Sequence, residues 1–156
     1  MLASDAILNP QRSFGTDVIS RIEAAESGYQ EDLHKVLVKA IGEMADRLLD
    51  LAGRKYTDHF RREEIAHVVL VGNTVMMHFL GNIPADAIAR PPFIPASVSA
   101  KTLTAEDLQL PLLPDTVCQL LPSVAGYVGA DITAGILATG LTGNKEDKVA
   151  LLLDIG

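Results

Sequence analysis

Apolar residues recur at three- and four-residue steps over 30–54, at Leu33, Leu37, Ile41, Met44, Leu48 and Leu51. That period is one face of an α-helix. His34, Lys35, Lys39, Glu43, Asp46, Arg47 and Asp50 would cover its outer faces, and Gly53, Arg54 and Lys55 suit its C-terminal end. The helix reads as a packing element laid over a sheet. A shorter helix, DVISRIEAAES, precedes it, with Thr16 or Asp17 as cap, Gly28 as stop and Val18, Ile19 and Ile22 as its buried stripe. Asn9-Pro10-Gln11 and Gly15 mark a turn before it, because the residue preceding proline is pushed out of the helical well.

Further along, the pattern changes period. The β-branched run 65–71 predicts a strand buried on both faces. It feeds a tight turn, Gly72-Asn73-Thr74, and an apolar helix over 75–80 ended by Gly81. Residues 82–115 carry Pro84, Pro91, Pro92, Pro95, Pro111 and Pro114, which predicts loops and short turns. Within them TAEDLQL suits one helical turn or more capped by Thr104, and Phe93 is expected to fill an apolar gap. A strand follows over 116–121, then a glycine-rich loop and a short helix within SVAGYVGADITAGILATG, and a last strand over 149–155. Strands alternating with helices make an α/β protein.

The candidate chemistry lies at the ends of those strands. In open α/β sheets ligands bind at the carboxyl ends of strands, and backbone N–H groups there favour anions. Asn73 and Thr74 suit either a helix cap or a ligand contact. Asp131 follows Gly126 and Gly129 at a helix start, and Asp154 ends an apolar strand just before Gly156. A carboxylate at a strand end is costly to bury unless it is paired or metal-bound. Phosphoryl chemistry needs a divalent ion, donors around the oxygens and a carboxylate to position or deprotonate the nucleophile. Asp131 and Asp154 fit that set; as a plain alternative, Asp131 caps its helix and Asp154 begins a turn. His78 follows Thr74 by one helical turn and reads as a packed histidine, and Met76 and Met77 as core. Asp58, His59, Glu63 and Glu64 lack the spacing of a known metal site and read as a solvated connector. There is no G-K-[ST] phosphate loop and no G-x-G-x-x-G dinucleotide fingerprint.

Composition narrows the classes. The chain of 156 residues is 48% hydrophobic and 21% charged, a globular balance, and with 4% aromatics and no Trp its core must be aliphatic. A net charge of -7 argues against nucleic-acid binding. The single cysteine, Cys118, excludes an intrachain disulfide and any iron–sulfur cluster held by this chain's cysteines alone, and its apolar setting suggests a buried thiol. No signal peptide or membrane-spanning run is visible, so a cytoplasmic location is the expectation. The strand-and-acid ending at Gly156 makes the chain read as a piece of a longer protein.

Four blocks in order, NPQRSFGTDVISRI, VVLVGNTVMMHFLG, LPSVAGYVGADITAGILATG and LLLDIG, resemble the C-terminal, ATPase-like region of the reductive activators of corrinoid proteins. These belong to the actin, sugar-kinase and heat-shock-ATPase superfamily. The resemblance implies a ribonuclease H-like mixed sheet flanked by helices, an incomplete subdomain of an actin-like ATPase fold. It treats 1–156 as one α/β subdomain with an irregular Pro-rich insertion at about 82–115. It also implies ATP-coupled reduction of a Co(II) corrinoid protein to Co(I) in support of methyl transfer, with ATP and Mg as cofactors and a [2Fe–2S] cluster only in an upstream domain of the parent protein.

By the same resemblance, Gly72, Asn73, Thr74 and Gly129 line the nucleotide cleft. Asp131 is the catalytic base or the positioner of metal-bound water. Asp154 and Gly156 begin the second phosphate hairpin, with Asp154 holding Mg through water. The first phosphate hairpin, the rest of the second and the adenosine-binding half lie outside the chain, so the segment alone is not expected to hydrolyse ATP. The partners implied are a corrinoid protein and the remainder of the parent chain. Strands missing from the sheet predict an exposed edge and a tendency to associate as a homodimer. A small-molecule kinase of the same superfamily and a non-catalytic domain docking a partner through the 82–115 loops are the alternative readings.

Overall fold

A computed structural model describes residues 1–141 and 151–153. The first helix, α1 (Val18–Ala24), starts from a reciprocal cap. Asp17 Oδ1 accepts the Ser20 amide at 2.9 Å, and the Ser20 hydroxyl accepts the Asp17 amide at 3.2 Å. Gly28 does not end the segment. With φ of 102° it kinks a π-helical turn, Ala25–Tyr29, that runs directly into α2 (Gln30–Tyr56). Thr57, in the left-handed region at φ 56°, closes α2 by donating its amide to the Gly53 carbonyl, two residues beyond the expected end.

The leucine stripe of α2 is only partly covered, and Ile41, Met44 and Leu48 line an open apolar groove with Val68 and Leu70. Leu33, His34, Val38, Ala40 and Ala52 are buried, whereas Leu51 is exposed and Ile41, Met44 and Leu48 are only half-buried. His34, expected on an outer face, lies inside with Nδ1 3.1 Å from the Phe79 carbonyl. Leu33 and His34 face α3 (Thr74–Leu80), where Leu33 shares an apolar cluster with Val75 and Phe79.

Three strands form one sheet, β1 (His67–Leu70), β2 (Lys101–Thr104) and β3 (Val117–Leu120), in the order β1-β3-β2. β1 runs parallel to β3, with Val68 opposite Cys118, and β2 runs antiparallel to β3, with Leu103 opposite Cys118. The expected mixed sheet flanked by helices is present. Two apolar clusters hold it. Ile22, Leu33, Val75, Phe79, Ala85 and Ile88 join the helices, and Val38, Ala105, Leu108, Leu110, Cys118 and Leu120 seat the sheet under α2. Cys118 is fully buried, and burial raises its thiol pKa.

Other expectations fail as well. The 82–115 region contains β2, whose alternating Thr102, Leu103 and Thr104 are a strand signal hidden among prolines. β1 is not buried on both faces: Val69 and Val71 are exposed, whereas Val68 and Leu70, on the opposite face, are half-buried. Phe93 does not fill the core. It sits at φ 62°, a left-handed conformation rare for a bulky residue, with its ring half at the surface. TAEDLQL does turn, with Asp107 Oδ2 accepting the Thr104 amide at 2.8 Å and Thr104 Oγ1 accepting the Asp107 amide at 3.1 Å. Of the last expected strand, only Leu151, Leu152 and Leu153 are described, and they lie in no strand. No described helix is long and apolar enough to cross a membrane.

The two clusters predict a contrast in stability. Phe79→Ala should cost about 3–5 kcal/mol, the usual penalty for emptying an aromatic site in a core. Ile94→Ala, at a residue 64% exposed, should stay within about 0.5 kcal/mol. Urea denaturation of the two variants checks both values.

Candidate functional site

Two strand-to-helix turns meet at the carboxyl end of the parallel pair. One runs from β1 through Gly72-Asn73 into α3, and the other from β3 through the 121–129 loop into α4 (Ala130–Ala138). The Gly72 carbonyl accepts the Ala130 amide at 2.9 Å and the Asp131 amide at 3.4 Å. Gly129 lies between them with no room for a side chain. A Cβ there would run into the Asn73 Cα and stand 2.7 Å from both the Gly72 oxygen and Asp131 Oδ1. Only glycine permits this approach.

The polar side chains divide between structural and free roles. Asn73 is a cap: its Oδ1 accepts the Met76 amide at 2.9 Å. Thr74 is buried and donates its hydroxyl to the Ala125 carbonyl at 2.6 Å, tying the two turns together. Asp131 is not the cap of α4. Gly129 holds that position, and Asp131 stands in the first turn, half-buried, with Oδ1 2.9 Å from the Ile132 amide. A carboxylate there is favoured by the positive end of the helix. The structure therefore brings Gly72, Asn73, Thr74, Gly129 and Asp131 to one corner, while Asp154 and Gly156 lie outside the described residues.

The same contacts limit what the corner can hold. The Ala130 and Asp131 amides, which an anion at the start of α4 would need, are taken by the Gly72 carbonyl. No group of three or more His, Cys, Asp or Glu that could hold a metal occurs among the described residues. Among the described residues the corner offers one carboxylate, Asp131, backed by glycine. That fits a base, or a single contact to hydrated magnesium, which commonly keeps most of its waters. It does not fit a complete phosphate cradle.

His78 is a packed histidine, as its position suggested. It is 1% exposed, with Nδ1 2.7 Å from the Thr74 carbonyl and Nε2 accepting the Ser97 amide at 3.3 Å. A carbonyl can only accept and an amide N–H can only donate, so the ring is neutral with its proton on Nδ1. Desolvation by burial holds its pKa below the ordinary 6.5, although the hydrogen bond to Thr74 works in the opposite direction. The links from Ala125 to Thr74 and from Ser97 to His78 were not legible in the sequence, because they join segments distant along the chain.

Residues 1–144 match the family described as the RACo middle region. The chain belongs to that family. It is 32% identical over 156 residues to the corrinoid activation enzyme RamQ of Eubacterium limosum, covering 100% of this chain and 25% of that protein. The fold matches a solved structure named reductive activator for corrinoid, iron–sulfur protein, with a TM-score of 0.78 and 32% identity over 88% of this chain and 21% of that one. The chain thus spans about a quarter of the curated relative's length. This RACo middle region has the α/β architecture its four sequence blocks implied.

Two outcomes test the corner. Gly129→Ala forces a methyl group against backbone and should destabilise the protein by about 1–3 kcal/mol or more, measured by chemical denaturation. Because the folded-state pKa of His78 is depressed, its contribution to stability is full above 6.5. It declines as the pH falls below that value, where the unfolded chain takes up the proton first, and is lost through the depressed pKa of the folded state. A His78→Gln variant should show a shallower loss of stability between pH 7 and 5 than the parent.

Proposed function

We propose that this chain is one wall of the nucleotide cleft in an ATP-dependent activator that returns Co(II) corrinoid proteins to the Co(I) state for methyl transfer. The meeting of Gly72-Asn73 with Gly129 and Asp131 carries the reading, in a chain similar throughout its length to a protein named for corrinoid activation. In such a protein ATP with Mg supplies the phosphoryl chemistry. Asp131 is the residue here suited to orient or deprotonate water beside it, since its carboxylate is half-exposed on a helix start fixed by the Gly72 carbonyl. Asn73 and Thr74 support that corner from behind: the Asn73 side chain holds α3 and the Thr74 hydroxyl holds the Ala125 loop. Asp154 and Gly156 remain candidates for the phosphate and magnesium side of the cleft. A [2Fe–2S] cluster for delivering the electron would belong to another region of the longer polypeptide.

The test uses the full-length polypeptide with Mg-ATP, a one-electron reductant and a Co(II) corrinoid protein, following phosphate release and the cobalt absorption spectrum. Asp131→Asn should lower ATP turnover by about 10²-fold or more, the scale of a positioned base, while the fold stays intact by circular dichroism. Turnover at the parent rate would remove Asp131 from the chemistry.

A further inference from the structure

Four hydrogen bonds close a ring behind the corner where the two strand-to-helix turns meet. The Thr74 hydroxyl donates to the Ala125 carbonyl at 2.6 Å. Two residues back along that loop, the Ser123 amide donates to the Val98 carbonyl at 3.0 Å. The neighbouring Ser97 amide donates to His78 Nε2 at 3.3 Å, and His78 Nδ1 lies 2.7 Å from the Thr74 carbonyl, where the circuit began. Every donor points the same way around it. Each segment accepts on one side and donates on the other, an order in which hydrogen bonds polarise one another.

The ring requires an imidazole that is neutral, with its proton on Nδ1. Only that form accepts from Ser97 and donates to Thr74 at once. An aliphatic side chain would fill the site without desolvating a polar ring, and would leave the Ser97 amide without this partner. Thr74 and His78 are each 1% exposed, so neither side chain is open to water.

The ring joins the first turn of α3, segment 97–98 and the start of the 121–129 loop. The first and last of these carry the corner, since Asn73 and Thr74 lie at the head of α3 and the loop ends at Gly129 and Asp131. Their contact has little tolerance. Gly129 stands against Asn73 with no room for a Cβ, and the Asp131 amide reaches the Gly72 carbonyl at 3.4 Å, near the limit of a hydrogen bond. A small outward shift of the loop breaks that bond.

We propose that His78 is a positioning residue for Asp131: through Ser97, Val98 and Ser123 it holds the 121–129 loop, and so sets where the Asp131 carboxylate stands. The inference rests on the nucleotide reading above, in which Asp131 orients or deprotonates water.

The test uses the full-length polypeptide, first without nucleotide and then with Mg-ATP. Hydrogen–deuterium exchange of peptides covering 121–131 should quicken at least about ten-fold in His78→Leu and in Thr74→Val, which open the ring at different bonds. In steady-state turnover both variants should lose about 10- to 100-fold in kcat, the scale of a misplaced catalytic group. The KM for ATP should stay within about two-fold of the parent value. His78→Gln, which keeps an acceptor for the Ser97 amide, should recover most of the loss. Combining His78→Leu with Thr74→Val should reduce kcat no further than the worse single change, because a ring opened once is already open. Ile22→Ala, a core change outside the ring, should leave both readouts at the parent level.

Exchange in 121–131 at the parent rate in His78→Leu overturns the brace. Quickened exchange with kcat unchanged, losses that multiply in the combined variant, or an equal kcat loss in Ile22→Ala overturns the positioning role while Asp131 keeps its own. Where His78→Leu does not fold, Thr74→Val, which opens the same ring, is judged by these criteria. Absence of ATP turnover in the parent polypeptide overturns the nucleotide reading and this inference with it.

Discussion

The contact of Gly129 with Gly72 and Asn73 is the constraint on which the rest of the corner depends. Two strands of a parallel pair must each turn into a helix at the same edge of the sheet, and their turns compete for the same space. Here one carbonyl, that of Gly72, satisfies the first amides of α4, and the absence of a Cβ at Gly129 lets the two backbones touch. The Thr74 hydroxyl adds a second tie, to the Ala125 carbonyl. Each tie satisfies groups that would otherwise be stranded away from water, where an unmade hydrogen bond is costly.

That arrangement decides what the corner can do. Spending the α4 amides on Gly72 removes the ready anion site at that helix start and leaves Asp131 as the acid in the first turn of the helix. A carboxylate held by helix and glycine suits handling a proton or a hydrated cation better than cradling a phosphate.

Behind the corner, buried polar groups orient the helices while the aliphatic core seats them. His78 bridges the Thr74 carbonyl and the Ser97 amide, and His34 reaches from α2 to the Phe79 carbonyl. Both histidines take up α3 carbonyls, His78 in its first turn and His34 at its C-terminal end. The aliphatic clusters give burial without direction, whereas these contacts fix angle and register.

The sequence by itself determined most of the elements and marked the residues that meet at the corner. The leucine period announced α2, the glycine and asparagine after a β-branched run announced the turn into α3, and the glycines before Asp131 announced a loop leading into a helix. Those features are local: helix periodicity, capping and glycine freedom act within a few residues and leave their mark there. Tertiary structure alone decided which face of α2 is buried, that β2 pairs with β3 among the prolines, that Thr74 ties to Ala125, and that Phe93 stands at the surface. Each depends on partners tens of residues away or on competition for one volume. Asp131 shows both halves: its spacing marked it as an acid at a helix start, and only packing against Gly72 showed that it stands inside the first turn rather than capping it.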